Sequence, residues 1–335
     1  MFEIKIKKLP KSEIEIEGQL PFSFLEEHKV QALKKLGANL RVPGFREGHL
    51  PEKIILGKVG EANLLKEMAE LALSKTYPQI IIQNKIDPIE KPNVSITKLA
   101  RGNPLGFKMR LAVMPEIKLP DYQEIAEEIF SKKETFEATK EDKENLIGEL
   151  LESQKEEDGK KSELSDEFVK NLGDFKNLED FNKKIEEGIK KEKEFRDREK
   201  KRLRLMEEII AKTELGLPDI ITESELQKMI AGFKADIERV GLKTDGYLKE
   251  SGKTEDDLRK EWRGEAEKRA KGRLILNKIA ITESLVANEK EIEHEVEHIL
   301  SHHPKADRER AKLYAEQMLT NEKVFRFLEK QEKLK

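Results

Sequence analysis

The sequence predicts an α+β N-terminal domain, an antiparallel sheet with helices, followed by an elongated all-α C-terminal domain with helical arms. Three observations carry that prediction. Apolar residues alternate with charged ones at the N-terminus and again around residues 94–113, the period-2 signature of strands with one buried face. From residue 139 onward, apolar residues recur at helical spacing behind Ser, Thr and Asn caps. Charged residues make up 40% of the 335 and hydrophobic ones 36%. That is too little apolar material for one large spherical core, but enough for amphipathic helices. A net charge of only −3 and strong periodicity separate the chain from disordered sequences.

The elements follow in order. Ile4 and Ile6, then Ile14 and Ile16, read as two strands joined by a turn at Pro10-Lys11-Ser12. Ser23-Phe24-Leu25-Glu26 has the form of a capping box. It opens a helix with Leu25, Val30, Leu33 and Leu36 along one face and Gly37 at its end. A loop from Ala38 to Leu50 leads to a helix from Pro51 and a longer one from Glu61, striped by Leu64, Leu65, Met68, Leu71 and Ala72. Pro78 predicts a kink or a split in it. Val94 and Ile96, then Phe107 to Val113, form a hairpin around Arg101-Gly102-Asn103.

Pro115 and Pro120 punctuate a linker, with an extended stretch at Ile125 and Ile129. Thr139 caps a helix bearing Leu146, Ile147, Leu150 and Leu151, and Glu156 to Ser162 reads as a polar hinge. Ser165, Asn177, Pro218 and Thr254 with Asp257 then start successive helices. The expected domains are 1–115, a linker at 116–162, and a helical domain at 163–335.

Composition excludes several functions. With no cysteine, the chain has no disulfide, no thiolate metal site and no cysteine nucleophile. Apolar runs are short, as at Ile80-Ile81-Ile82, against the ~20 residues that span a bilayer. The N-terminus has no apolar core of a signal peptide, so the expectation is a cytoplasmic protein without membrane contact. No glycine-rich phosphate loop, nucleotide fingerprint or Ser-His-Asp arrangement is visible, so no cofactor is expected. Residues 1–115 hold 19 basic and 13 acidic residues, a net of +6, and the remainder nets −9. Such asymmetry directs a polyanion toward the N-terminal end.

The most informative stretch is Arg41-Val42-Pro43-Gly44-Phe45-Arg46-Glu47-Gly48-His49-Leu50-Pro51. Two glycines and two prolines fix its backbone around Phe45 and Arg46. An aromatic that fills a pocket, beside an Arg that pairs with carboxylate or phosphate, is hot-spot chemistry. The alternative is a plain connection whose Phe tucks into its own core. Farther on, His294-Glu295-Val296-Glu297-His298 matches H-E-x-x-H, the helical zinc-peptidase pattern. Its surroundings, Glu291, Glu293, Glu295 and Glu297, are polar, and no third ligand or cleft is identifiable, so no metal site is assigned. Lys190 to Arg204 holds nine basic and four acidic residues, which reads as a solvated helix face with i,i+4 ion pairs or as a polyanion contact.

Gly-Phe-Arg-x-Gly-x-x-Pro, at Gly44, Phe45, Arg46, Gly48 and Pro51, resembles the ribosome-docking signature of the trigger factor family. Met114-Pro115-Glu116-Ile117-Lys118-Leu119 is similar to that family's exit into its linker. Glu163-Leu164-Ser165-Asp166-Glu167-Phe168-Val169 resembles the start of its helical domain. The resemblance implies an ATP-independent chaperone that docks at the ribosomal exit tunnel and holds nascent or unfolded polypeptides. Phe45 and Arg46 would contact ribosomal protein and RNA, with Gly44, Gly48 and Pro51 holding the loop.

Two departures stand out. Glu47 replaces the family's usual lysine, which weakens attraction to RNA phosphates. Only the hinge occupies the place of the prolyl-isomerase domain, so no isomerase activity is expected. Met206, Met229, Phe233, Met318 and Phe325 are candidates for client contact, because adaptable side chains suit varied partners; packed helix faces are the alternative. The family includes dimers, so a homodimer is a further expected state. A ribosome-independent holdase or assembly factor, suggested by Glu47, and a zinc-dependent peptidase built on 294–298 are the competing functions.

Overall fold

A computed structural model describes residues 3–38, 40–43, 45, 50–132, 134–153 and 164–330. The polar hinge at 156–162 lies outside them. Contacts divide the chain into two compact units, Met1–Lys118 with Glu214–Lys271, and Leu119–Thr213 with Gly272–Lys335.

The first unit begins with β1 (Glu3–Leu9) and β2 (Glu13–Leu20), whose turn takes positive φ at Lys11 and Ser12. Three short elements follow: α1 (Phe22–Glu26), α2 (Lys29–Ala38) and α3 (Glu52–Val59). Then come α4 (Glu61–Gln83), β3 (Asn93–Lys98) and β4 (Leu105–Ala112). The strands form one antiparallel sheet in the order β1-β2-β4-β3. Alternation sends Ile14, Ile16, Leu20, Leu105, Phe107, Met109 and Leu111 inward onto Leu25, Leu64, Met68, Ala72 and Ile80 of the helices. Gly18 pairs with Phe107, and a Cβ there would stand 2.7 Å from the Phe107 ring, so glycine is what lets that ring lie over the strand. The outward face carries cross-strand ion pairs, such as Lys108 with Glu17 at 2.6 Å.

Four details of the sequence reading are corrected here. Pro21, with its fixed φ of −56°, precedes the first turn of α1 and places Ser23 inside it, so the Ser23–Glu26 capping box does not form. The expected single helix breaks at Glu27 and His28, which leaves Val30 78% exposed rather than on the stripe. Gly37 lies within α2, not after it. It is small because α3 packs against it, and a Cβ would come 2.9 Å from Ile55 Cδ1. Finally, α4 runs unbroken through Pro78. Pro78 and Ser74, whose carbonyl loses its partner to the proline, are exposed, while Thr76 and Ile80 on either side are buried and hold both halves.

The same unit contains α9 (Asp219–Arg239), α10 (Thr244–Glu250) and α11 (Glu255–Thr282) as far as Lys271. Lys118 and Glu214 exchange backbone hydrogen bonds, and Lys11 pairs with Asp219 at 2.9 Å. Arg263 bridges Asp219 and Glu223, and Arg259 also reaches Glu223.

The second unit holds α5 (Tyr122–Phe130), α6 (Lys140–Ser153), α7 (Asp166–Leu172), α8 (Leu178–Lys212), the rest of α11, α12 (Glu289–His302) and α13 (Arg308–Glu329). The predicted extended stretch at Ile125 and Ile129 is instead α5. Asp121 caps it by accepting from the Glu124 N–H at 3.0 Å, and the four-residue spacing buries both isoleucines on one face. Asn177 caps the 35-residue α8, Ser165 caps α7, and Thr139 and Asp142 cap each other at the start of α6. Helix α5 packs against α8 and α13. Leu205 and Ile209 of α8, Ile275 and Ile279 of α11, and Val324 and Leu328 of α13 are fully buried in this unit, and two further clusters lie around Val169, Phe181, Ile185 and Ile189 and around Ile292, Val296, Ala311 and Ala315.

Candidate functional site

The loop between α2 and α3 follows from its ends. Helix α2 stops at Ala38, and α3 begins behind Pro51, whose carbonyl accepts from Ile54 and Ile55 at 3.0 and 3.1 Å. Pro51 thus anchors the loop's far end. Phe45 donates its backbone N–H to the Val42 carbonyl at 3.1 Å and keeps 43% of its surface exposed. It is absent from the core cluster beneath the sheet. Gly44, Arg46, Glu47 and Gly48 lie outside the described residues. At the base of the loop, a shallow cleft of about 210 Å³ is lined by Val30, Leu33, Leu50 and Ile55.

The candidate client residues fall in different places. Met229 and Phe233 meet in a groove of about 540 Å³ between α9 and α11, with Trp262. Phe233 stands edge-on to Trp262 at 5.3 Å and to Tyr247 at 5.9 Å. Carboxylates of Glu225, Asp236 and Glu265 and the cations of Lys228 and Arg269 rim the groove. Gly232 opens onto it, with nothing within 4 Å of where a Cβ would sit. Trp262 and Tyr247 carry no local signal of this role, because the contact joins residues far apart in the chain.

Met206, Met318 and Phe325 are half-buried in the second unit. Met206 lies beside Gly272, and the Arg202 guanidinium covers the Phe325 ring at 5.0 Å. Arg202 is itself held by Glu329 at 2.5 Å and Glu322 at 2.9 Å. The strongly exposed apolar side chains of this unit are others, among them Phe195, Leu203, Leu313 and Tyr314.

A larger groove, about 850 Å³, lies between α4 and the edge strand β3, lined by Leu73, Tyr77, Val94, Ile96 and Met109. The basic run of α8 is laced with four-residue ion pairs, Arg196 to Glu192 and Arg204 to Glu208 on its more exposed side and Lys201 to Asp197 half-buried. On α12, Ile292 and Val296 face inward while His294, His298 and His302 are exposed. Among the described residues, no three His, Cys, Asp or Glu side chains converge on a metal position. No helix among them is long and apolar enough to cross a membrane.

The sequence profile of "Bacterial trigger factor protein (TF)" matches residues 2–150, and that of "Bacterial trigger factor protein (TF) C-terminus" matches residues 177–333. The chain belongs to the trigger factor family. Among its relatives, the trigger factor of Halothermothrix orenii is 23% identical, over 89% of this chain and 90% of that one. The trigger factor of Natranaerobius thermophilus is 23% identical, over 88% and 85%. A solved structure from "Promiscuous Substrate Recognition in Folding and Assembly Activities of the Trigger Factor Chaperone" superposes with a TM-score of 0.61 at 16% identity, covering 99% of this chain and all of that one. That likeness bears out the α+β start and the helical remainder.

Membership of a chaperone family agrees with the exposed apolar side chains described above. Between the two matched segments lie only residues 151–176. A packed domain needs about 50 residues or more, so the prolyl-isomerase region of other trigger factors has no room here. The alignment with the H. orenii protein spans 388 positions against 335 residues in this chain, so the relative is longer inside the aligned region.

Proposed function

We propose that this trigger factor is an ATP-independent holding chaperone that docks at the ribosomal exit tunnel through the α2–α3 loop and has no prolyl-isomerase activity. The observation that carries the reading is Phe45, exposed on a loop tied down at Val42 and Pro51 instead of folded into the core below. In this reading, Phe45 fills a pocket on ribosomal protein and Arg46 pairs with RNA phosphate. Residues 1–115 form the docking domain, 116–162 the linker and 163–335 the client-holding domain, and the chain works in the cytoplasm. Clients are unfolded or nascent polypeptides. They bind the Met229–Phe233–Trp262 groove and, more weakly, surfaces that include Met206, Met318 and Phe325.

Cosedimentation with purified bacterial 70S ribosomes tests the docking. Binding is expected to fall with salt and to be lost in Phe45→Ala/Arg46→Ala. Glu47→Lys is expected to tighten it by restoring a cation beside phosphate. Wild-type chain that stays in the supernatant at low salt would leave the alternative, a chaperone working off the ribosome. A prolyl-peptide isomerisation assay, in which the chain is expected not to raise the spontaneous rate, tests the second half of the proposal.

A further inference from the structure

The outer face of α12 offers something that chaperone function does not use. His294, His298 and His302 follow one another at intervals of four, and all three are exposed. Residues four apart on a helix are surface neighbours. The rings of His298 and His302 are drawn together, their centres 4.8 Å apart and their planes at 73°. An imidazole nitrogen binds zinc at about 2.0–2.1 Å and lies about 1.1 Å from its ring centre, so two rings on one ion have centres about 4.5 Å apart at a right angle and about 5.2 Å apart at the tetrahedral angle. The observed separation falls between these limits. Aiming both nitrogens at one point then needs only rotation of two exposed side chains.

A carboxylate supports the arrangement. Glu295 Oε1 stands 3.6 Å from Nδ1 of His298. Its neighbours are engaged elsewhere: Glu293 and Glu297 by Arg308, Glu291 by Lys323, Glu289 by Lys312. A negative carboxylate near Nδ1 favours the tautomer with the proton on Nδ1, which leaves Nε2 with its lone pair free for a metal. The helix beneath is firmly held. Asn288 and Glu291 form a reciprocal capping box, and Ile292 and Val296 are buried against Ala311 and Ala315.

We propose that His298 and His302 form an open surface site for a divalent transition metal of the zinc, nickel or copper class, with Glu295 as a positioning residue. Two imidazoles select such ions over magnesium and calcium, which prefer oxygen. Water completes the coordination. The site lacks the third ligand and the enclosed cleft of a peptidase, so it is a binding site and not a reaction centre.

Isothermal titration of the untagged full chain with zinc chloride, and separately with nickel chloride, tests this. The expected result is saturable binding of one ion per chain, with no such heat from magnesium chloride. Binding should vanish in His298→Ala and in His302→Ala, persist in His303→Ala, and weaken about tenfold in Glu295→Gln. All four positions are exposed or, for Glu295, half-buried, and far-UV circular dichroism checks that each variant keeps its helix. Absence of saturable binding in the wild type would overturn the proposal. So would binding that survives both His298→Ala and His302→Ala, or that depends on His294 instead of His302.

Discussion

The sheet of the first unit and the long helices of the second are stabilised by different means. Beneath the sheet, Ile16, Leu20, Leu105, Phe107, Met109 and Leu111 converge with helix side chains into one continuous apolar cluster. In the second unit, buried apolar residues are divided among the helices: Ile125, Ile129, Leu205, Ile209, Ile275, Ile279, Val324 and Leu328 form one set on α5, α8, α11 and α13, the clusters around Val169 and Val296 stand apart, and charged side chains link helices as well. Lys193 of α8 reaches Asp142 of α6, Lys143 of α6 reaches Glu186 of α8, and Arg202 of α8 reaches Glu322 and Glu329 of α13. A highly charged composition therefore does not weaken the whole chain evenly. Apolar residues gather under the single buried face of the sheet, whereas among the helices of the second unit they are spread over several buried sets with ion pairs between them.

That contrast can be broken most forcefully in the sheet. Phe107→Ala empties the centre of the larger cluster and is expected to cost about 3–5 kcal/mol, measured as a lowered urea midpoint. A loss below about 1 kcal/mol would mean that the cluster is looser than its burial implies. In the second unit, Arg202→Ala leaves Glu322 and Glu329 facing each other and uncovers Phe325. The expected cost is about 2 kcal/mol, the scale of charged hydrogen bonds at a partly buried site. High salt should reduce this difference and leave that of Phe107→Ala unchanged. Asn177→Ala removes the cap of α8 and is expected to cost about 1 kcal/mol, read from the same unfolding curves.

The smallest effect depends on pH. The Lys193 ammonium, with the Thr139 hydroxyl and backbone N–H, holds the Asp142 carboxyl down to about 2. An unfolded Asp titrates near 3.9. The folded state's pKa is the lower, so this stabilisation is fully present above about pH 4 and is lost as pH falls toward about 2. Asp142→Asn should therefore be less stable than wild type at pH 7, and the gap should narrow at pH 2.5. A gap that does not change with pH would show that the carboxylate's charge contributes nothing.

The same division separates what was legible in the sequence. Strand alternation placed all four strands, because a single buried face imposes a period of two on the chain itself. The caps at Thr139, Ser165, Asn177 and Thr254 were legible because each bond spans three residues. The α2–α3 loop was visible as a motif, and the exposure of Phe45 adds what its spacing could not say. The groove of Met229, Phe233 and Trp262 was only half legible: its methionine and phenylalanine were candidates, whereas the tryptophan joins them across two helices.

The sequence by itself determined the elements whose stabilising bonds close within a few residues: the alternating strands, the capped helices and the turn at Lys11 and Ser12. The tertiary structure alone decided where local rules compete with packing. It carried α4 through Pro78, because buried Thr76 and Ile80 hold the helix on both sides of the exposed proline. It required glycine at Gly37 because Ile55 of α3 packs there. It grouped α9 and α10 with the N-terminal sheet in one compact unit, though about a hundred residues of chain lie between. Local hydrogen bonds are written in neighbouring residues, whereas burial and ion pairing depend on which distant residues meet, and that is fixed only when the chain has folded.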